Sequence, residues 1–153
     1  MRNAWIFLHL LGSAMWIGGG LGAMFASLAA KREDRPAQAT VARLLAAIHA
    51  RIVAPGAALT VLSGLFLTMT YMAAINTGSG MVVSPWLMAM QGLGIIAAII
   101  VFAVSLPSAT RVARLDPVGQ AAAFDALRAR QKVASMIMGI LALVSLLAGA
   151  MIR

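Results

Sequence analysis

Hydrophobic positions run along this chain in long unbroken blocks. They follow neither the alternation of a half-buried strand nor the single stripe of a soluble helix. Residues 4–30 hold no Asp, Glu, Lys or Arg, and neither do residues 52–110 or 133–152. A helix needs about 20 apolar residues to cross the hydrocarbon core of a bilayer. The middle block is too long for one crossing. It breaks at a run of turn formers, Asn76-Thr77-Gly78-Ser79-Gly80. The pattern therefore predicts four spans, over about 4–30, 50–74, 81–107 and 132–152. Backbone groups in lipid must be satisfied within their own segment, and barrel-like alternating strands do not appear, so the spans are helices. The expected fold is all-α, one integral membrane four-helix bundle over residues 1–153. The first span reads as a retained helix and not a signal peptide. Its apolar stretch exceeds the usual length of about 7–15 residues, and it runs into Lys31-Arg32.

The polar connections carry their own signals. Trp5 suits an interface anchor at the start of the first helix. Pro36 suits a helix start, and "ARLLAAIHAR" (42–51) reads as an amphipathic helix ahead of the second span. Pro55, inside that span, removes one backbone bond and kinks the helix. Asp116-Pro117 reads as an N-cap and first-turn pair opening a second amphipathic segment that runs into the fourth span.

Composition agrees with the membrane reading. The chain is 62% hydrophobic and 10% charged, with a mean hydropathy of +0.95; a soluble domain carries about 25% charged residues. No cysteine is present, which excludes disulfides, thiolate metal sites and iron–sulfur clusters. The net charge of +8 is unevenly placed. Lys31, Arg32, Arg35, Arg43 and Arg51 cluster around the first loop, and Arg111, Arg114, Arg128, Arg130 and Lys132 around the third. The opposite side holds only Arg2 and Arg153. Basic residues in short loops stay cytoplasmic. Both termini and the 76–80 turn are therefore expected in the periplasm of a bacterial inner membrane, with the basic loops facing the cytoplasm and touching anionic lipid. Nothing in this charge pattern calls for nucleic acid.

Candidate chemistry centres on two histidines. Projected at about 100° per residue, His9, Gly12, Ser13, Trp16, Gly20, Ala23, Met24 and Ser27 share one face of the first helix. That small, polar face should point into the bundle. Gly18 and Gly22 form a small-xxx-small pair that lets a second backbone approach. Two readings stay open: the glycines pack a neighbouring helix, or they make room beside His9 for a flat macrocycle. An ionisable residue at this depth is a functional hypothesis by default; a neutral imidazole can equally donate to a carbonyl or hydroxyl. His49 lies near the other end of the membrane, separated in depth from His9 by something on the order of 20 Å, so the two cannot clamp one iron. A second ligand for His9 would be a methionine at its own depth: Met69, Met88 or Met90. His/Met pairs ligate heme iron, and thioethers favour Cu(I). Met24, Met136 and Met138 lie at similar depth toward the His49 end. All four acids fall in loops, and no paired carboxylate, Ser–His–Asp order or phosphate loop appears.

"LHLLGSAMWIGGG" (8–20) resembles the first helix of a group of small bacterial membrane proteins that share a Leu-His, then Trp-x-Gly-Gly, pattern. The group includes copper-resistance D-type domains, the HemJ type of protoporphyrinogen oxidase and a four-helix predicted integral membrane protein family of unknown function. "IVAPGAALTVLSGL" (52–65), "SPWLMAMQGL" (84–93) and "LPSATRVARL" (106–115) are similar to that last family. In the HemJ type a first-helix histidine matches His9, and a His and a Lys follow a Trp-Leu pair in the third helix. Here Met88-Ala89-Met90 follows Trp86-Leu87. The departure argues against oxidase activity and leaves His/Met coordination. The resemblance thus implies a heme b or copper binder, with His9, Met69 and Met88 as metal ligands and Met90, Gly12, Trp16 and Gly20 around the cofactor. The competing class is a non-catalytic accessory or anchor subunit, packing as a homo-oligomer or within a larger membrane complex.

The charge asymmetry makes a direct prediction. Reporter fusions at Asn76 and after Arg153 should score as periplasmic, and fusions at Gln38 and Gly119 as cytoplasmic. A cytoplasmic signal from Asn76 would reverse the orientation.

Overall fold

The computed structural model describes residues 2–76 and 83–152. Six α-helices follow in order: α1 (Arg2–Ala29), α2 (Arg35–Ile48), α3 (Ala54–Asn76), α4 (Pro85–Ile100), α5 (Leu106–Val112) and α6 (Ala121–Ala150). They combine into four continuous rods of membrane-spanning length and hydropathy: Arg2–Arg32, Arg35–Asn76, Pro85–Val112 and Ala121–Ala150. No strand occurs among the described residues. The rods outrun the apolar blocks because the amphipathic segments around the two basic loops are also helical. Of the turn at 76–80, only Asn76 is described, as the last residue of α3; the rest lies outside the described residues.

Pro55 and Pro107 do not break their rods. Each is preceded by a five-residue π-helical stretch, His49–Val53 and Val101–Ser105. A helix-interior proline has no N–H to donate, and its ring collides with the carbonyl four residues back. A widened turn just before the ring relieves that collision while the helix continues. The expected kink at Pro55 is thus a π turn, and Pro107, whose effect the hydrophobic pattern did not signal, repeats the device.

The two loop starts differ. Asp34 caps α2 two residues ahead of Pro36, accepting from the Ala37 N–H at 2.9 Å. The Asp116 carboxylate accepts from the amides of Val118 (3.0 Å) and Gly119 (2.9 Å), but the turn it closes is separate from α6. Gln120, at φ −124° and ψ 38°, leaves helical geometry and delays α6 to Ala121. The two amides hold the Asp116 carboxyl below its ordinary range. The turn is therefore intact at neutral pH and is released only as pH falls through that lowered value.

α1 packs along α3, and α4 along α6. The pairs meet around Trp16, Val53, Ala57, Ala97, Val101 and Met138. A smaller cluster of Ala42, Val112 and Phe124 closes the end that carries the basic loops. Lipid offers no hydrophobic force between helices, so close contact must come from small residues. The contact that matters lies between α1 and α3. A Cβ on Gly12 would sit 2.8 Å from the Thr60 nitrogen and 2.9 Å from the Gly56 carbonyl; one on Gly56 would sit 2.7 Å from the Trp16 nitrogen. Gly18 and Gly22 have nothing within 4 Å of an added Cβ, so that pair is not the packing seam. They are exposed because they lie off the buried Gly12–Trp16–Ala23 face of α1.

Gly56→Ala should therefore lower thermal stability in detergent by roughly 1–3 kcal/mol, the usual cost of overpacking, while Gly22→Ala should leave it unchanged or slightly improved. Equal melting shifts for the two would refute the backbone-contact assignment.

Candidate functional site

α1 presents His9 to α3, where small and hydroxylic residues make a seat for the ring. His9 Nδ1–H donates to the Thr60 carbonyl at 2.9 Å, and the Ser63 hydroxyl lies 3.3 Å from the same nitrogen. The ring rests on Gly64, where an added Cβ would come within 3.0 Å of His9 Cε1. This is an interhelical hydrogen bond of the kind an imidazole can make with no ligand present.

The methionines named with His9 go elsewhere. Met69 and Met88 are 61% and 58% exposed, on outward faces of α3 and α4. Met90 packs on α6, its sulfur 2.8 Å from where a Gly149 Cβ would stand, and its carbonyl accepts from the Ser145 hydroxyl. Gly12 is spent on the α1–α3 backbone contact. Trp16 and Gly20, by contrast, line a cavity, and it is not at the His9 end.

That cavity, of about 440 Å³, lies between α1, α2 and α6. Known ligand pockets run from about 300 to 1,000 Å³. α1 contributes Trp16, Gly20 and Met24; α2 contributes Ala42, Leu45 and His49; α6 contributes Met136, Met138 and Gly139. The three methionines placed by sequence at the His49 end thus share one wall system. Between α1 and α6 the cavity is flanked by exposed apolar residues, among them Leu21, Leu28, Ile140 and Leu143. Toward the basic loops it is bounded by Gln38, Arg128 and Lys132. Arg128 holds this end together, donating to the Gln38 side chain at 2.8 Å and to the Ser27 carbonyl at 3.2 Å. A bidentate pair, Arg35 with Asp125 at 2.7 and 3.0 Å, ties α2 to α6 further out. Being exposed and screened by water, it contributes little to stability.

His49 is the unusual group in this wall. It is 2% exposed. Its Nδ1–H donates to the Leu45 carbonyl at 2.8 Å, one turn back. In the neutral ring that leaves Nε2 as a bare lone pair, and Nε2 is buried with no partner among the described residues. Trp16 Nε1–H, on the same cavity, is also buried without a partner. An unsatisfied buried polar atom costs about 1–3 kcal/mol, and two residues that line this cavity each carry one. A π turn also begins at His49, and such turns are frequent at functional sites.

Sequence reasoning chose His9 because its stretch was the distinctive one. The signal for His49 was present but quieter: Gln38, Ala42, Leu45 and His49 recur at helical spacing, on one face of α2. Among the described residues no cluster of three or more His, Cys, Asp or Glu occurs. Removing the His9 contact should be mild. His9→Ala should lower stability by about 0.6 kcal/mol, the average for an interhelical hydrogen bond in a membrane, measured by thermal unfolding in detergent. A loss of several kcal/mol would mean that the ring does more than join two helices.

Neither the curated proteins nor the solved structures yield a match to this chain. A family model does match, over residues 5–152, nearly its whole length. That coverage agrees with the four spans and the helix-1 and helix-2 segments quoted above. The chain belongs to the predicted integral membrane protein family DUF2269.

Proposed function

We propose that this protein is a membrane-embedded binding protein whose site is the cavity between α1, α2 and α6, and that its ligand is an amphiphile with an apolar body and an anionic group. One observation carries the reading: an apolar cavity two of whose lining residues, His49 and Trp16, each carry a buried polar atom without a partner among the described residues. The apolar walls favour a lipid-soluble body. Arg128 and Lys132, at one end, favour a negative group. The apolar flanks between α1 and α6 favour loading from the bilayer. The orientation follows from the loop charges: the basic end, and the cavity with it, on the cytoplasmic side of a bacterial inner membrane, the termini outside. Among the described residues no group of three or more His, Cys, Asp or Glu accompanies the cavity. A cofactor held through His9 is the weaker reading, because Met69 and Met88 lie on exposed faces and Met90 packs on α6.

Trp16 provides the probe. In a Trp5→Phe, Trp86→Phe background, its fluorescence should be quenched saturably by a spin-labelled fatty acid and less by the methyl ester. Gly20→Phe, which fills the cavity, should remove the saturable part. Quenching that never saturates, or that Gly20→Phe leaves intact, refutes the site and leaves the accessory-subunit reading.

A further inference from the structure

We infer that the occupant of the cavity is a single-chain lipid ending in a phosphate monoester, its headgroup held by the Arg128, Gln131, Lys132 and Ser135 face of α6; this rests on the cavity being an amphiphile site.

The shape of the cavity sets the chain. On α6 its lining runs from Arg128 to Leu143, about 22 Å along the helix axis at about 1.5 Å per residue. A volume of about 440 Å³ spread over that length leaves a mean cross-section of about 20 Å². That is the girth of one alkyl chain, and two do not fit side by side. Exposed Leu21, Leu28, Ile140 and Leu143 flank the slot, so the chain can enter sideways from the bilayer.

The polar lining is gathered at one end of the slot. Arg128, Gln131, Lys132 and Ser135 are spaced three and four residues apart and so share one face of α6. Gln131 is the member that points to a ligand. It is 8% exposed, and it lines the cavity with the surface it keeps. Its side-chain amide has no partner among the described residues, and neither of its polar atoms is sealed off as His49 Nε2 is. A buried amide in an apolar slot costs free energy until something bonds it. The hydroxyls of Ser135 and of Ser27, the latter across the slot on α1, are also without a partner among the described residues. Arg128 commits two of its five N–H donors to Gln38 and Ser27, which fixes the guanidinium beside the cavity and leaves the others for a ligand.

Charge decides which anion fits. Arg128 and Lys132 bring two positive charges to this end, and among the described residues no acid lines the cavity. Asp125, one turn before Arg128 on α6, is tied to Arg35. A fatty-acid carboxylate carries one negative charge on two oxygens and leaves one cation unmatched. A phosphate monoester carries about −1.5 to −2 at neutral pH on three acceptor oxygens. It answers both cations, and its third oxygen gives the Gln131 amide N–H and the serine hydroxyls an acceptor. A phosphodiester, with one charge and two free oxygens, falls short on both counts.

The experiment uses purified protein in a nonionic detergent, in the Trp5→Phe, Trp86→Phe background. Displacement of the spin-labelled fatty acid is read as recovery of Trp16 fluorescence. The competitors are oleoyl lipids that differ only in headgroup: lysophosphatidate, lysophosphatidylglycerol and lysophosphatidylcholine. Inorganic phosphate serves as the chainless probe. Lysophosphatidate should displace the label at a concentration at least about tenfold below lysophosphatidylglycerol, the effect of one added charge-assisted hydrogen bond, and lysophosphatidylcholine should be weakest. Inorganic phosphate should neither displace the label nor compete with lysophosphatidate; competition by it would assign the polar end to free phosphate and overturn the lipid. Gln131→Met removes the amide and no charge, and should erase most of the advantage of lysophosphatidate over lysophosphatidylglycerol, as should Lys132→Gln. Continued binding of the label shows that each variant is folded; if Gln131→Met does not bind it, Ser135→Ala takes its place and must show the same loss. Arg130→Gln, on α6 but off the cavity lining, should change nothing. Equal displacement by lysophosphatidate and lysophosphatidylglycerol, or an Arg130→Gln effect as large as that of Lys132→Gln, overturns the headgroup assignment and leaves the amphiphile site standing. Absence of saturable quenching by the label itself overturns both.

Discussion

The closeness of two backbones, α1 against α3 at Gly12 and Gly56, sets the rest of the structure. The Gly56 carbonyl stands where a Gly12 side chain would be, and the Trp16 nitrogen where a Gly56 side chain would be. In water such a contact would be one item among many hydrophobic ones. In lipid it is the main source of cohesion, because apolar side chains gain nothing by leaving apolar solvent. With the two helices this near, the short seat of Thr60, Ser63 and Gly64 falls within reach of His9. Trp16 is turned into the centre of the bundle, where it packs with Val53 and Met138.

The second helix pair is built differently. α4 and α6 meet through serine and alanine, with Gly94 against the Ser145 hydroxyl and Ser145 bonded to the Met90 carbonyl. Gln91 bridges across to Thr68 on α3. Toward the basic loops α1 and α6 are held by Arg128 through Ser27, while α2 closes the third side. The cavity is what remains between rods fixed by contacts elsewhere. Its apolar walls give up little by staying unfilled in a bilayer; the cost falls on His49 Nε2 and Trp16 Nε1, buried in residues that line it.

Much of this was legible from the order of residues. The spans follow from charge-free blocks of bilayer length. The inward face of α1 follows from helical projection, which placed Gly12, Trp16 and Ala23 where they are buried. The start of α2 follows from Pro36 and, one turn out of place, that of α6 from Asp116-Pro117. The site was less legible, for physical reasons. Gly18 and Gly22 carry the right spacing for helix contact but sit on the wrong face, and spacing alone does not say which face meets a partner. The real contact joins residues on different helices. His49 sits in an amphipathic segment with charged neighbours such as Arg51, and its burial depends on α1 and α5 packing against the π turn that carries it. A linear pattern has no way to record that cover. His9 stood out because it interrupts a purely apolar stretch, a contrast that measures local composition and not what surrounds the ring.

The π turn at His49–Val53 has a further consequence for how this rod tolerates change. In an uninterrupted α-helix, positions 49 and 56 are seven apart and share nearly one face. Here Gly56 meets α1 directly while His49 faces the cavity, so the widened turn acts as a phase shift between two functional registers of one rod. Deleting a single residue within 50–52 would leave His49 and Gly56 six α steps of about 100° apart, the relative phase the widened turn already gives. Gln38, Ala42, Leu45 and His49 would then stay at the cavity and Gly56 on α1, with a plain α-helix between them. Inserting one residue there would instead turn the cavity residues by about 100° against the α1–α3 contact, so this stretch tolerates the loss of a residue better than a gain.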